Sequence, residues 1–145
     1  MRRISLVAVI VLGLLLAACS TSTGSSPTAG VSGGVRQIQV TMSDDMRLQP
    51  AQMQVTAGET IEFVVHNAGT IRHELFLGGE DDQSSHEMEM RQMGGMQHDE
   101  DNGIFIEPGQ SKTLRHVFPE AGSVIAGCHE AGHYAAGMKA DISVE

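Results

Sequence analysis

Residues 123–144 read SVIAGCHEAGHYAAGMKADISV, and they carry the most specific structural pattern in the chain. Its first five residues are mostly apolar and its last six alternate between polar and apolar side chains, which predicts two short β-strands. Between the two strands, Cys128, His133 and Met138 follow one another at intervals of five residues. Because strands that are consecutive along the chain commonly pair, we expect these three side chains on a loop at one end of a β-sandwich.

The same alternation extends through the preceding part of the chain. Inward-facing positions recur at every second residue in three segments: Ile38/Val40/Met42, Ile61/Phe63/Val65 and Ile71/His73/Leu75/Leu77. Turn signals rich in glycine and proline separate these segments. Their spacing predicts an all-β sandwich of seven or eight short antiparallel strands over residues 35–145. Aromatic residues are only 3 % of the chain, so we expect a core of mainly aliphatic side chains.

The N-terminal part of the chain has a different composition. A basic start, Met1-Arg2-Arg3, precedes an apolar run, which is the pattern of an export signal. The run ends Leu16-Ala17-Ala18-Cys19 and resembles the bacterial lipoprotein signal, with an ordinary secretory signal as the alternative. We therefore expect a lipoprotein signal peptide at 1–18 and a flexible tether at 19–34 that begins with lipidated Cys19. The protein would then be anchored by lipid to a membrane of the cell envelope, facing the periplasm or the exterior.

The charge of the chain restricts its partners. The 145 residues are enough for one domain, and they include 18 acidic and nine basic residues, for a formal charge of −9. Two of the basic residues lie in the predicted signal peptide, so the mature protein would be still more acidic. This charge opposes nucleic acid and anionic lipid headgroups as electrostatic partners. We expect a monomer that binds cations and a partner protein with a basic face.

Cys128 needs a chemical explanation. The chain has two cysteines, and if Cys19 carries lipid, Cys128 has no intramolecular disulfide partner in a compartment that oxidises thiols. A thiolate beside an imidazole and a thioether favours copper over harder metal ions. A further ligand has to come from another part of the chain. His73 is the best candidate because it lies on the inward face of a predicted strand, and His66 and His116 are the alternatives.

At these residues the sequence resembles the cupredoxins, the blue (type 1) copper proteins related to plastocyanin, azurin and rusticyanin. Members carry an early histidine and then a Cys-x(n)-His-x(n)-Met loop near the C-terminus. Residues 57–60 (AGET) and 107–111 (EPGQS) also resemble turns of the family. The resemblance implies a Greek-key β-sandwich with one type 1 copper ion and a methionine as the weak axial ligand. The implied ligands are His73, Cys128, His133 and Met138.

Two residues differ from what is common in that family. Glu74 follows His73 where plastocyanin and azurin have an asparagine that steadies the thiolate loop, and Ala131 stands where a proline is common. These differences bear on the reduction potential and on the rigidity of the loop rather than on the ligand set. His129, next to Cys128, would point to the opposite face of the strand and is predicted to lie at the rim of the site.

The insertion between residues 78 and 103 interrupts the β pattern. It is far longer than a hairpin connection and carries histidine, methionine and many acidic residues. Ser84 and Glu87 form a capping box, and Glu87 and Arg91 form an i,i+4 pair, which predicts a short helix over 85–93. Two interpretations stay open: the methionines cover the sandwich, or the insertion binds exchangeable copper. The possible second copper site consists of His86, Met88, Met90, Met93, Met96 and His98.

Two functions are compatible with this sequence. The first is a one-electron carrier that is not an enzyme. The chain has a single domain and no His-x-His pair, which argues against a multicopper oxidase. The alternative is a copper chaperone, buffer or tolerance protein in which the Met/His-rich insertion does the work.

Overall fold

The computed structural model describes residues 30–32, 34–93 and 98–145. The predicted signal peptide and Cys19 lie outside the described residues, so the signal sequence and the lipid anchor stay predictions. Among the helical residues that are described, none belongs to a helix long and apolar enough to cross a membrane.

The described residues form ten strands and one helix. In chain order these are β1 (Gly30–Ser32), β2 (Val35–Ser43), β3 (Arg47–Gln49), β4 (Gln52–Val55), β5 (Thr60–Asn67), β6 (His73–Gly78), α1 (Glu80–Met93), β7 (Gly103–Ile106), β8 (Ser111–Val117), β9 (Gly122–Gly127) and β10 (Lys139–Val144). The helix lies between β6 and β7. β6 ends at residue 78 and β7 begins at residue 103, which are the predicted bounds of the insertion. β1 falls within the predicted tether, so paired backbone begins ahead of Val35.

The strands form two five-stranded sheets. The first has the order β1-β2-β5-β8, with β3 also paired to β2, and the second has the order β4-β10-β9-β6-β7. The predicted all-β sandwich with a helical insertion is confirmed. The pairing is not antiparallel throughout, because β2 runs parallel to β5 and β10 runs parallel to β4. The strand number exceeds the predicted seven or eight, and β1 and β3 are only three residues long.

Alternating side chains build the core between the two sheets. The predicted inward positions within residues 38–42, 61–65 and 140–144 are buried in one cluster. Phe63 and Phe118 are part of this cluster, with ring centroids 6.2 Å apart in an edge-to-face contact. Ile71 is the exception among the predicted inward positions, since it precedes β6 and is 41 % exposed.

β6 is buried on both of its faces. Leu75 and Leu77 belong to the core cluster between the sheets. Glu74 and Phe76 point the other way and are covered by α1, where the ring of His86 stacks on Phe76 with centroids 3.9 Å apart. A buried carboxylate requires hydrogen-bond partners, and the helix supplies one of them to Glu74.

The helix begins five residues earlier than the sequence analysis predicted. It starts at Glu80, and the carboxylate of Asp82 accepts a hydrogen bond of 2.9 Å from the backbone N–H of Gly79. A side chain in the first turn that accepts from the residue before the helix caps its N-terminus. The capping box predicted at Ser84 is wrong, because its hydroxyl donates to the carbonyl of Glu80 within the helix.

Polar side chains hold α1 against the second sheet. The buried residues of the helix are Gln83 and His86. Met90 is half-buried and Met93 is exposed, so the sheet is covered by the polar pair rather than by the methionines. The side-chain nitrogen of Gln83 donates to backbone carbonyls, which are those of Ile125 (2.8 Å), Gly78 (3.3 Å) and Phe76 (3.4 Å).

Replacing Gln83 with alanine is expected to loosen α1. The change leaves buried carbonyl groups without a donor, at a cost of about 1–3 kcal/mol. We expect the free energy of unfolding in urea to fall by about that amount. Gln92→Ala, at an exposed position of the same helix, is the control and should change it by less than about 0.5 kcal/mol. Equal effects of the two changes would contradict this docking of the helix.

Candidate metal centre

Strand pairing brings two distant parts of the chain to one edge of the sandwich. β6 begins at His73, and β9 ends at Gly127, directly before Cys128. The two strands pair antiparallel, with Phe76 opposite Gly127. The start of one antiparallel strand lies beside the end of the other. His73 and Cys128 are therefore neighbours in space although 55 positions separate them in the sequence.

The segment between β9 and β10, residues 128–138, returns to the same edge; we call it the thiol loop. Gly132 and Gly137 have φ angles of +85° and +92°, in the left-handed region that favours glycine. Each of them directly precedes a predicted ligand. The backbone N–H of Met138 donates to the carbonyl of His133 at 3.0 Å, and the N–H of Cys128 donates to the carbonyl of Met138 at 3.1 Å. These bonds fix the three predicted ligand residues of the loop relative to one another.

Three side chains converge at this edge. Nδ1 of His73 lies 3.3 Å from Nδ1 of His133. Sγ of Cys128 lies 3.4 Å from Nδ1 of His133 and 3.9 Å from Nδ1 of His73. The centre of such a triangle is about 2 Å from each atom, close to metal–nitrogen and metal–sulfur distances in proteins. Within the described residues, no other group of three His, Cys, Asp or Glu side chains comes this close. Two imidazoles with a thiol are a donor set that fits copper.

Burial sets the protonation of these side chains. His73 and Cys128 have no exposed surface, whereas His133 is partly exposed. Burial raises the pKa of the Cys128 thiol to about 12, so at neutral pH a metal ion must displace its proton. Burial also lowers the pKa of His73, and the nearby His133 adds to this effect. His73 is therefore neutral at pH 7 and offers a lone pair to a metal.

The outer ring nitrogen of His73 faces a carboxylate. Nε2 makes no hydrogen bond to any described residue, and Oδ1 of Asp44 lies 3.4 Å from it. The hydroxyl and the backbone N–H of Thr70 each donate to Oδ2 of Asp44 at 2.7 Å, and these bonds hold the pKa of Asp44 below its usual value. A carboxylate near the outer nitrogen of a metal-binding histidine favours the tautomer with its lone pair on the inner nitrogen.

Glu74 anchors the thiol loop, a role that the sequence analysis missed. Its backbone N–H donates to Sγ of Cys128 at 3.3 Å, and its Oε2 accepts the backbone N–H of His129 at 3.1 Å. Its Oε1 lies 2.7 Å from Nε2 of His86. The carboxylate thus takes over the position where the resemblance implied an asparagine. A glutamate inside the apolar run of β6 was the available signal, since a carboxylate placed there needs buried partners.

His129 is buried, so its prediction as a rim residue is wrong. Its Nε2 lies 2.7 Å from Oε1 of Gln83, and its Nδ1 lies 2.7 Å from Oε2 of Glu87. The amide nitrogen of Gln83 faces carbonyl groups, so its oxygen accepts from His129. A proton must then lie between the other ring nitrogen and Glu87. Tyr134 stacks on the imidazole with centroids 4.6 Å apart, which completes its enclosure.

Glu87 links the helix to the thiol loop. Burial favours its neutral form, but hydrogen bonds from His129 and Arg91 outweigh burial and hold its pKa below the usual value. The predicted i,i+4 pair with Arg91 is confirmed, at 2.8 Å. Glu87 therefore carries a negative charge beside His129, and α1 becomes part of the surroundings of Cys128.

The remaining candidate ligands differ in where they lie relative to Cys128. Met138 is fully buried in the same cluster as Cys128. His66 and His116 lie on β5 and β8 of the other sheet. His66 is exposed and bonds to the hydroxyl of Ser111, and His116 is half-buried. Neither alternative histidine joins the group formed by His73.

Part of the predicted second copper site also comes together. A small cleft beside the helix, which we call the α1 cleft, is lined by four of its six predicted residues together with Glu89 and Glu100. Met88 does not line the cleft and is 55 % exposed, and Met96 lies outside the described residues. The four residues at the cleft are His86, Met90, Met93 and His98.

The sequence matches one protein family over most of its length. The family model of copper-binding proteins of the plastocyanin/azurin type matches residues 36–145. This match includes α1, the thiol loop and both sheets; β1 lies outside it.

Three curated relatives are each described as a copper-resistant cuproprotein CopI. The protein of Rubrivivax gelatinosus is 39 % identical over 109 residues, which are 75 % of this chain and 66 % of the relative. That of Pseudomonas aeruginosa is 32 % identical over 181 aligned positions, covering 99 % of this chain and 98 % of the relative. That of Vibrio cholerae is 33 % identical over 108 residues. The chain spans about two thirds of the Rubrivivax and Vibrio proteins, at 66 % and 64 % of their lengths.

Solved structures of auracyanins share the fold. Reduced auracyanin of Roseiflexus castenholzii has a TM-score of 0.67 at 25 % identity, over 75 % of this chain and 96 % of that protein. Auracyanin B has a TM-score of 0.65 at 18 % identity, over 87 % of this chain and 95 % of that protein. The resemblance to cupredoxins seen in the sequence is confirmed by the sandwich and by the family match. The chain belongs to the plastocyanin/azurin family of copper-binding proteins.

Proposed function

We propose that the protein is a one-electron carrier with a type 1 copper site. The observation that supports this most is the convergence of two imidazole nitrogens and one thiol at the end of the sandwich. A bound copper ion would supply the redox chemistry, since thiolate and thioether ligands favour Cu(I) and imidazole suits both oxidation states. The proposed ligands are His73, Cys128, His133 and Met138.

The protein would keep its ligand side chains in one arrangement in both oxidation states. His73 is part of a strand that is covered on both faces, and the thiol loop is closed by its own backbone bonds. The sulfur of Cys128 also accepts the N–H of Glu74. Ligands that rigid elements and their supporting hydrogen bonds hold in place move little when the charge at the site changes. Small movement favours fast electron exchange.

His133 offers a route for electrons to the surface. It is only partly buried and lines a shallow depression together with Arg72, Glu107 and Glu130. Arg72 and Glu130 form a salt bridge of 2.5 Å that ties the thiol loop to the start of β6. A partner protein docked over this depression would approach the imidazole edge while His73 and Cys128 stay buried.

The proposal extends to the partner and the location. The excess of acidic over basic residues favours a redox partner with a basic face. Attraction of this kind weakens once added salt brings the Debye length below about 10 Å. A signal peptide at 1–18 and a lipid on Cys19 would hold the carrier at a membrane of the cell envelope.

Copper tolerance is a second candidate function. Its support is that three relatives are described as copper-resistant cuproproteins. In that case the protein would buffer or hand over copper, and redox cycling would be incidental. The α1 cleft, with methionine and histidine side chains, is the part of the molecule suited to that task.

The Cu(II)-loaded protein is expected to show an intense thiolate-to-copper absorption band in the visible range and narrow copper hyperfine splitting in EPR. Voltammetry should give one reversible one-electron wave. Cys128→Ser should abolish the band because it removes the thiolate, and Cys19→Ser is the control that should keep it. A colourless protein that binds Cu(II) equally well with and without Cys128 would refute the type 1 site.

Binding of Cu(II) at pH 8 is expected to release about one proton from Cys128. The thiol, with a pKa of about 12, is protonated at this pH, and the thiolate is the metal ligand. The apparent affinity should therefore rise by about tenfold per pH unit from this group. Calorimetric titrations in buffers of different ionisation enthalpy count the protons. Cys128→Ser should release about one fewer, and equal release from both proteins would contradict this assignment.

If the protein serves copper tolerance, cells that lack it should stop growing at lower copper concentrations. Point substitutions test the α1 cleft without removing the helix, which covers Glu74 and His129. We therefore expect the double change Met90→Leu/Met93→Leu to restore growth only in part, while Met88→Leu restores it fully. Full restoration by the double variant would show that tolerance does not depend on the α1 cleft.

A further inference from the structure

The α1 cleft contains soft metal ligands that the proposed type 1 site does not use. We propose that this cleft binds one Cu(I) ion through His86, Met90 and Met93, with His98 on the opposite wall. The inference goes beyond electron transfer at the thiol loop, and the two sites can be tested separately.

The hydrogen bonding of His86 prepares it as a ligand. Its Nε2 lies 2.7 Å from the buried carboxylate of Glu74, so Nε2 carries the proton and Nδ1 has the lone pair. A histidine whose outer nitrogen donates to a carboxylate is the usual arrangement at protein metal sites, because it fixes the ring and makes the inner nitrogen more basic. The ring is further held by stacking on Phe76, with the planes 3° apart.

The helix places two thioethers on the same side as this imidazole. His86, Met90 and Met93 occupy positions i, i+4 and i+7 of α1, which form one face of a helix. All three line the cleft, whereas Met88, two residues from His86, does not. The spacing therefore selects the two methionines that share a face with the imidazole.

The opposite wall comes from the chain that leads into β7. His98 and Glu100 line it, with Nε2 of His98 3.8 Å from Oε1 of Glu100. Glu89 of the helix adds a second carboxylate to the lining. The two carboxylates offset the charge of a bound cation, and the cavity volume of about 10 Å³ has room for a single ion or water molecule.

The donor set indicates Cu(I) rather than a harder ion. Two thioethers with imidazole favour Cu(I), whereas Mg²⁺ and Ca²⁺ prefer sites built from oxygen ligands. The cleft is also open to exchange, since Met93 is 41 % exposed while Cys128 is fully buried. The protein would thus hold one copper ion tightly at the thiol loop and a second, exchangeable one at the helix.

The test is an anaerobic titration with Cu(I) against a coloured Cu(I) chelator. We expect two bound equivalents for the unchanged protein and for Met88→Leu, and one equivalent for the double variant Met90→Leu/Met93→Leu. Leucine has nearly the volume of methionine, so the fold should persist; circular dichroism checks it. Two equivalents in the folded double variant would overturn the proposal.

The double variant Cys128→Ser/Met138→Leu separates this site from the type 1 centre, because it removes both sulfur ligands proposed there. It should still bind one Cu(I), with sulfur neighbours in the X-ray absorption spectrum although the thiol is gone. Adding Met90→Leu/Met93→Leu to it should weaken the remaining binding at least tenfold and remove the sulfur signal. Absence of Cu(I) binding by Cys128→Ser/Met138→Leu would refute the cleft site, whatever the visible spectrum of the Cu(II) form shows. Conversely, a colourless Cu(II) form beside an intact cleft would refute only the type 1 proposal.

Discussion

The buried carboxylate of Glu74 joins the three parts of the molecule that surround Cys128. The residue belongs to β6, one of its oxygens accepts from the backbone of the thiol loop, and the other bonds to His86 of α1. Its own N–H points at the sulfur. Buried polar groups without partners are strongly destabilising, so the hydrogen bonds to this carboxylate favour the observed arrangement of strand, loop and helix. The inserted helix is therefore a structural part of the metal centre.

The two groups of soft ligands differ in their surroundings, and this difference suggests different tasks. His73 and Cys128 are fully buried and fixed by paired strands. Metal binding there requires loss of a proton from the buried thiol. An ion enclosed by buried ligands on paired strands has little contact with solvent, which favours slow exchange. Met93 lies near the end of α1 and is exposed to solvent. A carrier of electrons needs the first kind of site, and a protein that takes up and releases copper needs the second.

Much of the sandwich could be predicted because its signals are local. The period of two in residues 38–42 and 61–65 follows from the geometry of single strands, and the bounds of the insertion follow from where this period stops. The start of α1 was missed because Asp82 looks like part of a solvated acidic run until Gly79 is seen to be its partner. The burial of His129 was missed because the helix that covers it comes from a segment 42 residues away from it in the sequence.

The sequence alone was enough to identify the candidate ligand types, their spacing on the thiol loop and the β character of the domain, since these depend on residues close together in the chain. The fold was needed to show that His73, rather than His66 or His116, lies with Cys128 and His133. It also decided that Glu74 links the loop to the helix. The physical reason is that these contacts depend on the pairing of β6 with β9 and on the docking of α1. Both bring together residues that are far apart in the sequence.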